Sequence, residues 1–246
     1  MHTASLDAQV HHAFIDRLRQ TGRAPSRHEV SVALAKPVED IEKALSRLAE
    51  SHGVVLHPHV CEPWVIHPFS FSPTATWVQK GDQGWWAPCI WCGCGIAALV
   101  GGDAVIHARL GGEMEDIDIH IVKGEVEEKD LWVHFAVPPR AAWDNVHHFC
   151  ATVLPFRHES DARVWSERHG IPAGSAVPIT QVQDLGREWY AHHCDRDWRK
   201  WSVGEAIEIF ERVGLVGAFW GLESRDGSLF SGGGDSCGVV FGVPPT

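Results

Sequence analysis

The sequence predicts an α+β protein, with a small helical unit at the N-terminus followed by a larger unit of mixed sheet and helices. Apolar residues recur at helical spacing in three segments before residue 53 and at strand spacing in segments between 85 and 137. Helical spacing returns after residue 160. Because 44% of the 246 residues are hydrophobic, the chain is able to bury a large core.

Three short helices are predicted in the N-terminal segment. The first covers residues 10–19, where apolar side chains fall on one face. The second begins after Ser26, a residue type that caps helix N-termini, and ends before Pro37. The third covers residues 38–52, and Gly53 supplies its C-terminal stop. The N-terminal segment is therefore predicted to be entirely helical up to about residue 52.

A hairpin is predicted directly after these helices, over residues 54–69. Three helices and a hairpin are typical of a winged helix-turn-helix, which normally reads DNA. Residues 1–70 carry seven Lys or Arg against eight Asp or Glu, and the third helix begins with the acidic stretch VEDIE. The whole chain has a formal net charge of -11, which opposes binding to a polyanion. We therefore interpret residues 1–73 as a winged-helix-like docking or cover domain.

Residues 74–246 are predicted to form the second domain, because the composition changes at Thr74. A strand near residues 85–87 runs towards Cys89, and an apolar helix follows at 92–100, although its glycines weaken that prediction. The remaining predicted elements are strands at 104–110, 117–121 and 131–137, helices at 160–169, 179–194 and 202–213, and a glycine-rich C-terminal tail.

The seven cysteines indicate a protein that works with reduced thiols. No stretch resembles an export signal or is long enough to span a membrane, so we expect a cytoplasmic protein without a membrane partner. An odd number of cysteines in such a chain argues against a disulfide framework. The cysteines are Cys61, Cys89, Cys92, Cys94, Cys150, Cys194 and Cys237.

The segment CIWCGC at residues 89–94 is the most informative motif. Thiolates are soft ligands that select zinc, copper(I), mercury or iron-sulfur centres over hard cations. One CxxC pair on its own is compatible with half a zinc site, a redox pair or coincidence. A second CxxC pair is missing from the sequence, so the spacing does not support a four-cysteine zinc ribbon.

Two longer segments carry a resemblance to the organomercurial (alkylmercury) lyases. WWAPCIWCGCGIAALVGG resembles the first active-site motif of that family, with Cys89 at its first catalytic cysteine. HHFCATVLPFRHESDARVW is similar to the second motif, with Cys150 and Trp165 in register. The segments HPF at 67–69 and VPITQVQDLGREW at 177–189 extend the likeness over most of residues 10–190. The resemblance implies a lyase-type domain of mixed sheet and helices, packed on the N-terminal unit.

The resemblance also implies a chemistry and a departure from it. In the family, two thiolates capture the mercury of R-Hg⁺, and an aspartate three residues after the first cysteine relays a proton to the departing carbon. Here Cys92 occupies the position of that aspartate. The candidate catalytic and metal-binding residues are thus Cys89, Cys92 and Cys150, with Cys92 as proton donor or third ligand. The family implies no built-in cofactor, and external thiols such as glutathione would remove the Hg(II) product, as in mercuric resistance.

The first hypothesis is therefore the cleavage of a carbon–mercury or related carbon–metal bond, and other functions remain open at this point. The missing aspartate favours a non-enzymatic binder of Hg(II) or Cu(I), and the fold could also serve other thiol chemistry. The expected partners are a small organometallic compound or soft ion and cellular thiols, without nucleic acid, and the oligomeric state is undetermined.

Secondary expectations concern the remaining thiols and the histidines. Cys61, Cys194 and Cys237 are interpreted as packing residues, whereas Cys94 is left undecided. His147 or His148, if close, would depress the pKa of Cys150.

Overall fold

A computed structural model describes residues 4–222, which form helices and two antiparallel sheets. The helices, numbered in chain order, are α1 Leu6–Thr21, α2 Arg27–Leu34, α3 Val38–Glu50, α4 Ile90–Val100, α5 Val146–Ala151, α6 Glu159–His169, α7 Ile179–Tyr190 and α8 Val203–Arg212. The strands are β1 Val55–Leu56, β2 Pro63–Ile66, β3 Phe69–Ser70, β4 Thr76–Lys80, β5 Gln83–Ala87, β6 Ala104–Arg109, β7 Asp116–Val122, β8 Glu125–Val126, β9 Trp132–Phe135, β10 Leu154–Phe156 and β11 Ser175–Pro178. The α+β class is confirmed, whereas the glycine-rich tail and Cys237 lie outside the described residues.

The N-terminal helices form where local sequence signals place them. Ser26 caps α2 and pairs with Glu29 in a capping box, and α1 ends at Gly22, whose φ of 68° suits a residue without a side chain. The apolar faces of α1 and α3 meet, with Phe14, Ile41 and other side chains fully buried between them. The three helices and the hairpin are therefore present, and the winged-helix interpretation of this unit remains a prediction.

The larger sheet joins the N-terminal hairpin to the rest of the chain. Its eight strands follow the order β1-β2-β3-β5-β4-β6-β7-β8, and every neighbouring pair is antiparallel. The connection between the two predicted domains is made by Ser70 of β3, which pairs with Trp86 of β5. The boundary predicted at residue 73 thus falls between two strands of one sheet, and the division into two domains remains a prediction.

Strand β4 is central to this sheet, and the sequence prediction did not include it. Residues TWVQK alternate between buried and more exposed positions, and β4 pairs with both β5 and β6. The smaller sheet, in the order β10-β9-β11, also contains two strands that were not predicted. Both are only three or four residues long and contain a proline, which weakens a strand signal.

Two glycines allow helices α4 and α7 to pack closely. A Cβ atom at Gly95 would lie 2.1 Å from Cδ2 of Tyr190, and one at Gly186 would lie 2.9 Å from Cβ of Cys94. The glycines that weakened the helix prediction for α4 therefore make this contact possible. As a result, the N-terminal turn of α4 lies beside the last residue of α7.

A membrane span is not found within residues 4–222, since none of the helices there is both long and apolar enough to cross a bilayer.

Candidate active site

The structure brings Cys89, Cys92 and Cys150 together, although residue 150 lies about sixty positions further along the chain. Sγ of Cys89 and Sγ of Cys92 are 3.4 Å apart. The ligand atoms of Cys92, Cys150 and His67 all lie within 4.8 Å of one another. The three cysteines are at most 6% exposed. We call these four residues the thiol cluster.

Cys89 owes its environment to the junction between β5 and α4. β5 ends at Ala87, and Cys89 takes an extended conformation as the N-cap of α4, where its Sγ accepts the backbone N–H of Cys92 at 3.4 Å. Burial alone would raise the pKa of the Cys89 thiol. Hydrogen bonds from Cys150 and Cys92 outweigh burial and hold that pKa well below its ordinary value. The position at a helix N-terminus acts in the same direction, because it favours a thiolate.

The pKa values of Cys92 and Cys150 are shifted upwards, opposite to that of Cys89. Burial and the negative charge on Cys89 raise the pKa of Cys92 well above its ordinary value. Hydrogen bonds to Cys89 and Cys92, together with burial, raise the pKa of Cys150. The cluster therefore favours the thiolate at Cys89 and the protonated thiol at Cys92 and Cys150.

His67 is the fourth member of the cluster, and sequence reasoning did not single it out as a site residue. Its Nε2 lies 3.8 Å from Sγ of Cys150, and its ring packs edge-on against Trp143 at 5.6 Å. Burial lowers the pKa of His67 to about 4, so the imidazole is neutral at physiological pH. The HPF segment was used only as a mark of resemblance, and its spacing gives no hint of a ligand.

Tyr190 is a second residue that the sequence prediction overlooked. Its hydroxyl lies 3.4 Å from Sγ of Cys92, and it is the only tyrosine in the chain. Burial raises the pKa of Tyr190 well above its ordinary value, so the hydroxyl keeps its proton. The only sequence signal for a role of Tyr190 is its position directly after residues 177–189, the segment that resembles the lyase family.

A cleft with about 790 Å³ of empty space, partly open to solvent, leads to this cluster. Cys92, Cys150 and His67 line its inner part, and Lys200 lies on its wall with Nζ 5.2 Å from the ring centre of Trp143. Five of the twelve tryptophans line the cleft: Trp91, Trp143, Trp189, Trp198 and Trp201.

Three further cysteines within the described residues lie outside the cluster. Cys94 is buried towards α7, and burial raises its pKa to about 12. Cys61 is partly buried, with Sγ 3.6 Å from the carbonyl oxygen of Glu42, and Cys194 is also partly buried. These three positions suit packing roles.

The expectation for the histidines before Cys150 was wrong. His147 and His148 are exposed, and the pKa of Cys150 is raised rather than depressed. Their side chains point to solvent because α5 buries the face that carries Phe149 and Cys150.

The chain is similar to one known protein family and to a solved structure. A family model described as MerB, alkylmercury lyase, matches residues 69–191, which is half of the sequence. A crystal structure of the mercury-bound form of MerB2 has the same fold, with a TM-score of 0.63 and 17% identity over 78% of this chain and 93% of that chain. None of the curated proteins matches. Because the family model covers half of the chain, including all three predicted site cysteines, the protein belongs to the alkylmercury lyase family.

Proposed function

We propose that this protein cleaves carbon–mercury bonds by thiolate capture of the metal and protonolysis of the carbon. The observation that carries the proposal is the meeting of three buried thiols beside a cleft that Cys92 and Cys150 line, with the pKa of Cys89 lowered and those of the other two raised. A soft metal needs thiolate ligands, and a carbanion-like leaving group needs an acid. The cluster supplies both within hydrogen-bonding distance.

The proposed reaction starts with an organomercurial R–Hg–X, where X is an exchangeable ligand such as an external thiolate. The Cys89 thiolate bonds to mercury and X⁻ leaves, which gives Cys89–S–Hg–R. Sulfur of Cys150 then bonds to mercury while its proton leaves, the Hg–C bond breaks, and its electron pair takes up a proton to give R–H. The product is Hg(II) held by Cys89 and Cys150, which two external thiolates remove.

Cys92 has the role of proton relay in this scheme. It passes its own proton to carbon and takes the one released by Cys150, so it is unchanged after one turnover. Its Sγ lies between Cys89 and the hydroxyl of Tyr190, each at 3.4 Å. Tyr190 is thereby able to hold the thiol in place as a hydrogen-bond partner. A thiol with a raised pKa is a weaker acid than a carboxyl, so we expect slower proton transfer than an aspartate would give.

The walls of the cleft support a hydrocarbon group on the substrate. Most of the lining is aromatic or aliphatic, and flat indole rings stack well on an aryl group. Reduced thiols are required for this chemistry, and the cysteines within the described residues form no disulfide bonds with one another. A cytoplasmic location, where small thiols keep cysteines reduced, is therefore part of the proposal.

A second candidate function is the binding of a soft ion without turnover. The specific observation in its favour is Cys92, which replaces a proton-donating carboxyl by a further thiol ligand. Three converging thiolates would retain Hg(II) or Cu(I) more tightly than two.

The two functions are separated by incubating the protein with phenylmercury and an excess of a small thiol. The lyase should release benzene in amounts that exceed the protein many times, measured by gas chromatography. Stoichiometric uptake of mercury without benzene would contradict the lyase and favour the binder. The Cys94→Ser variant serves as the control, since that thiol lies outside the cluster.

A further inference from the structure

His67 adds a nitrogen ligand that the proposed reaction does not use. In that reaction mercury is held by Cys89 and Cys150, and Cys92 carries the proton. Yet the ligand atom of His67 lies within 4.8 Å of those of Cys92 and Cys150, and its Nε2 is 3.8 Å from Sγ of Cys150. The ring plane is fixed by the edge-on contact with Trp143. His67 is therefore placed to bind a metal ion, although the proposed reaction gives it no role.

Three thiolates and one imidazole are a well-known set of ligands for a tetrahedral zinc ion. At Zn–S and Zn–N distances of roughly 2.3 and 2.0 Å, the ligand atoms of such a site are separated by about 3.3 to 3.8 Å. Cys89 and Cys92 are already 3.4 Å apart, and Cys150 and His67 are 3.8 Å apart. Because the ligand atoms of His67, Cys92 and Cys150 lie no more than 4.8 Å from one another, these three need to close by at most about 1.5 Å. Cys89 joins them through its 3.4 Å contact with Cys92.

We propose that the thiol cluster is a Cys₃His site that binds Zn²⁺, with His67 as its nitrogen ligand. Binding releases the protons of the Cys92 and Cys150 thiols, because zinc takes thiolates and a neutral imidazole. Zinc then occupies the sulfur atoms that an organomercurial would need. Zinc binding does not depend on lyase activity, but where both occur, zinc competes with the substrate.

The experiment uses the full chain, freed of metal under reducing conditions. Co²⁺ is added as a spectroscopic probe, and Zn²⁺ is then titrated against it. A tetrahedral thiolate site should give strong visible bands and a sulfur-to-cobalt charge-transfer band at one equivalent of Co²⁺, and one equivalent of Zn²⁺ should remove both. His67→Ala should lower zinc affinity by at least about tenfold, since loss of even an outer partner of a zinc ligand has that effect.

A matched control is His148→Ala, which removes an exposed imidazole two residues from Cys150 and outside the cluster. Its zinc affinity should equal that of the unmodified chain. His67→Ala should still take up one equivalent of Hg²⁺, because two thiolates suffice for mercury. Unchanged zinc affinity in His67→Ala would overturn the proposal.

X-ray absorption of the zinc-loaded unmodified chain tests the ligand set without any variant. A first shell of three sulfur atoms and one nitrogen with imidazole scattering is expected, whereas four sulfur atoms, or no imidazole, would contradict the assignment. A chain that binds mercury but takes up no zinc refutes this inference alone. A chain that binds zinc through His67 but releases no benzene from phenylmercury refutes the lyase alone.

Discussion

Helix α4 carries two buried thiols on different sides, Cys92 and Cys94. They are equally buried but have different neighbours. Cys92 and Cys94 are 1% and 2% exposed, respectively. Cys92 meets Cys89, Cys150 and Tyr190 beside a cleft, whereas Cys94 faces Gly186 on α7, and burial raises its pKa to about 12. The comparison teaches that burial alone makes a thiol inert. A buried thiol becomes reactive only where neighbouring thiols stabilise its thiolate by hydrogen bonds.

The largest difference between the two sides should appear in turnover. Replacing Cys89 or Cys150 by Ser removes a mercury ligand and should lower benzene release from phenylmercury by about 10³-fold. Cys94→Ser should stay within about twofold of the unmodified chain, because Cys94 packs against Gly186 of α7 and is not one of the proposed mercury ligands. Comparable losses in the two classes of variant would remove the distinction between the two sides of α4.

Alkylation should separate the same thiols by about 10²-fold or more in rate. The thiolate is the reactive form, and the lowered pKa of Cys89 favours that form in the cluster. A pKa of about 12 leaves Cys94 about 10⁻⁵ ionised at neutral pH. Mass spectrometry after limited treatment with iodoacetamide should find the label on the cluster. Preferential labelling of Cys94 would show that the two environments have been assigned the wrong way round.

Close packing between α4 and α7 should make Gly95 sensitive and Gly93 tolerant. A Cβ at residue 95 would meet the ring of Tyr190 at 2.1 Å, so Gly95→Ala should lower the free energy of unfolding by about 2 kcal/mol. At residue 93 the nearest atom is Cγ2 of Ile106 at 3.1 Å, and the helical preference of Ala, about 1 kcal/mol, offsets this contact. Denaturant unfolding of both variants provides the measurement. Equal losses would argue against the close approach of Tyr190.

The smallest effect is expected from restoring a carboxyl to the cluster. Cys92→Asp should raise turnover about tenfold, because a carboxyl transfers its proton more readily than a thiol with a raised pKa. The hydroxyl of Tyr190 is placed to donate a hydrogen bond to it. Cys94→Asp is the matched variant, and it should destabilise the chain without affecting the chemistry, since the new carboxyl lies between packed helices. A fall in turnover for Cys92→Asp would count against the relay role of residue 92.

Sequence reasoning found the thiols but not their neighbours, for physical reasons. Cysteines are rare and their motifs are local, so Cys89, Cys92 and Cys150 were recognisable one by one. The pairing of Cys92 with Tyr190 depends on the space left by Gly95, and that space arises only when α4 meets α7. Such a contact has no signature in the local sequence.

The helices and strands show the same pattern: those specified by local sequence were predicted, and those defined by their neighbours in the fold were overlooked. Helices with a clear apolar face, such as α3 and α8, were predicted within two residues of their bounds. β4 was overlooked because only five residues alternate, and the strand is defined by partners on both sides. Strands of this length are specified by their neighbours more than by their own composition.

The continuity of the large sheet has a practical consequence for expressing shortened versions of the protein. Removing residues 1–73 would take away β1, β2 and β3 and leave the outer backbone groups of β5 without a partner. An uncovered strand of this kind invites edge-to-edge aggregation. The same cut would remove His67, so we expect a shortened chain to aggregate and to lack one side of its cleft.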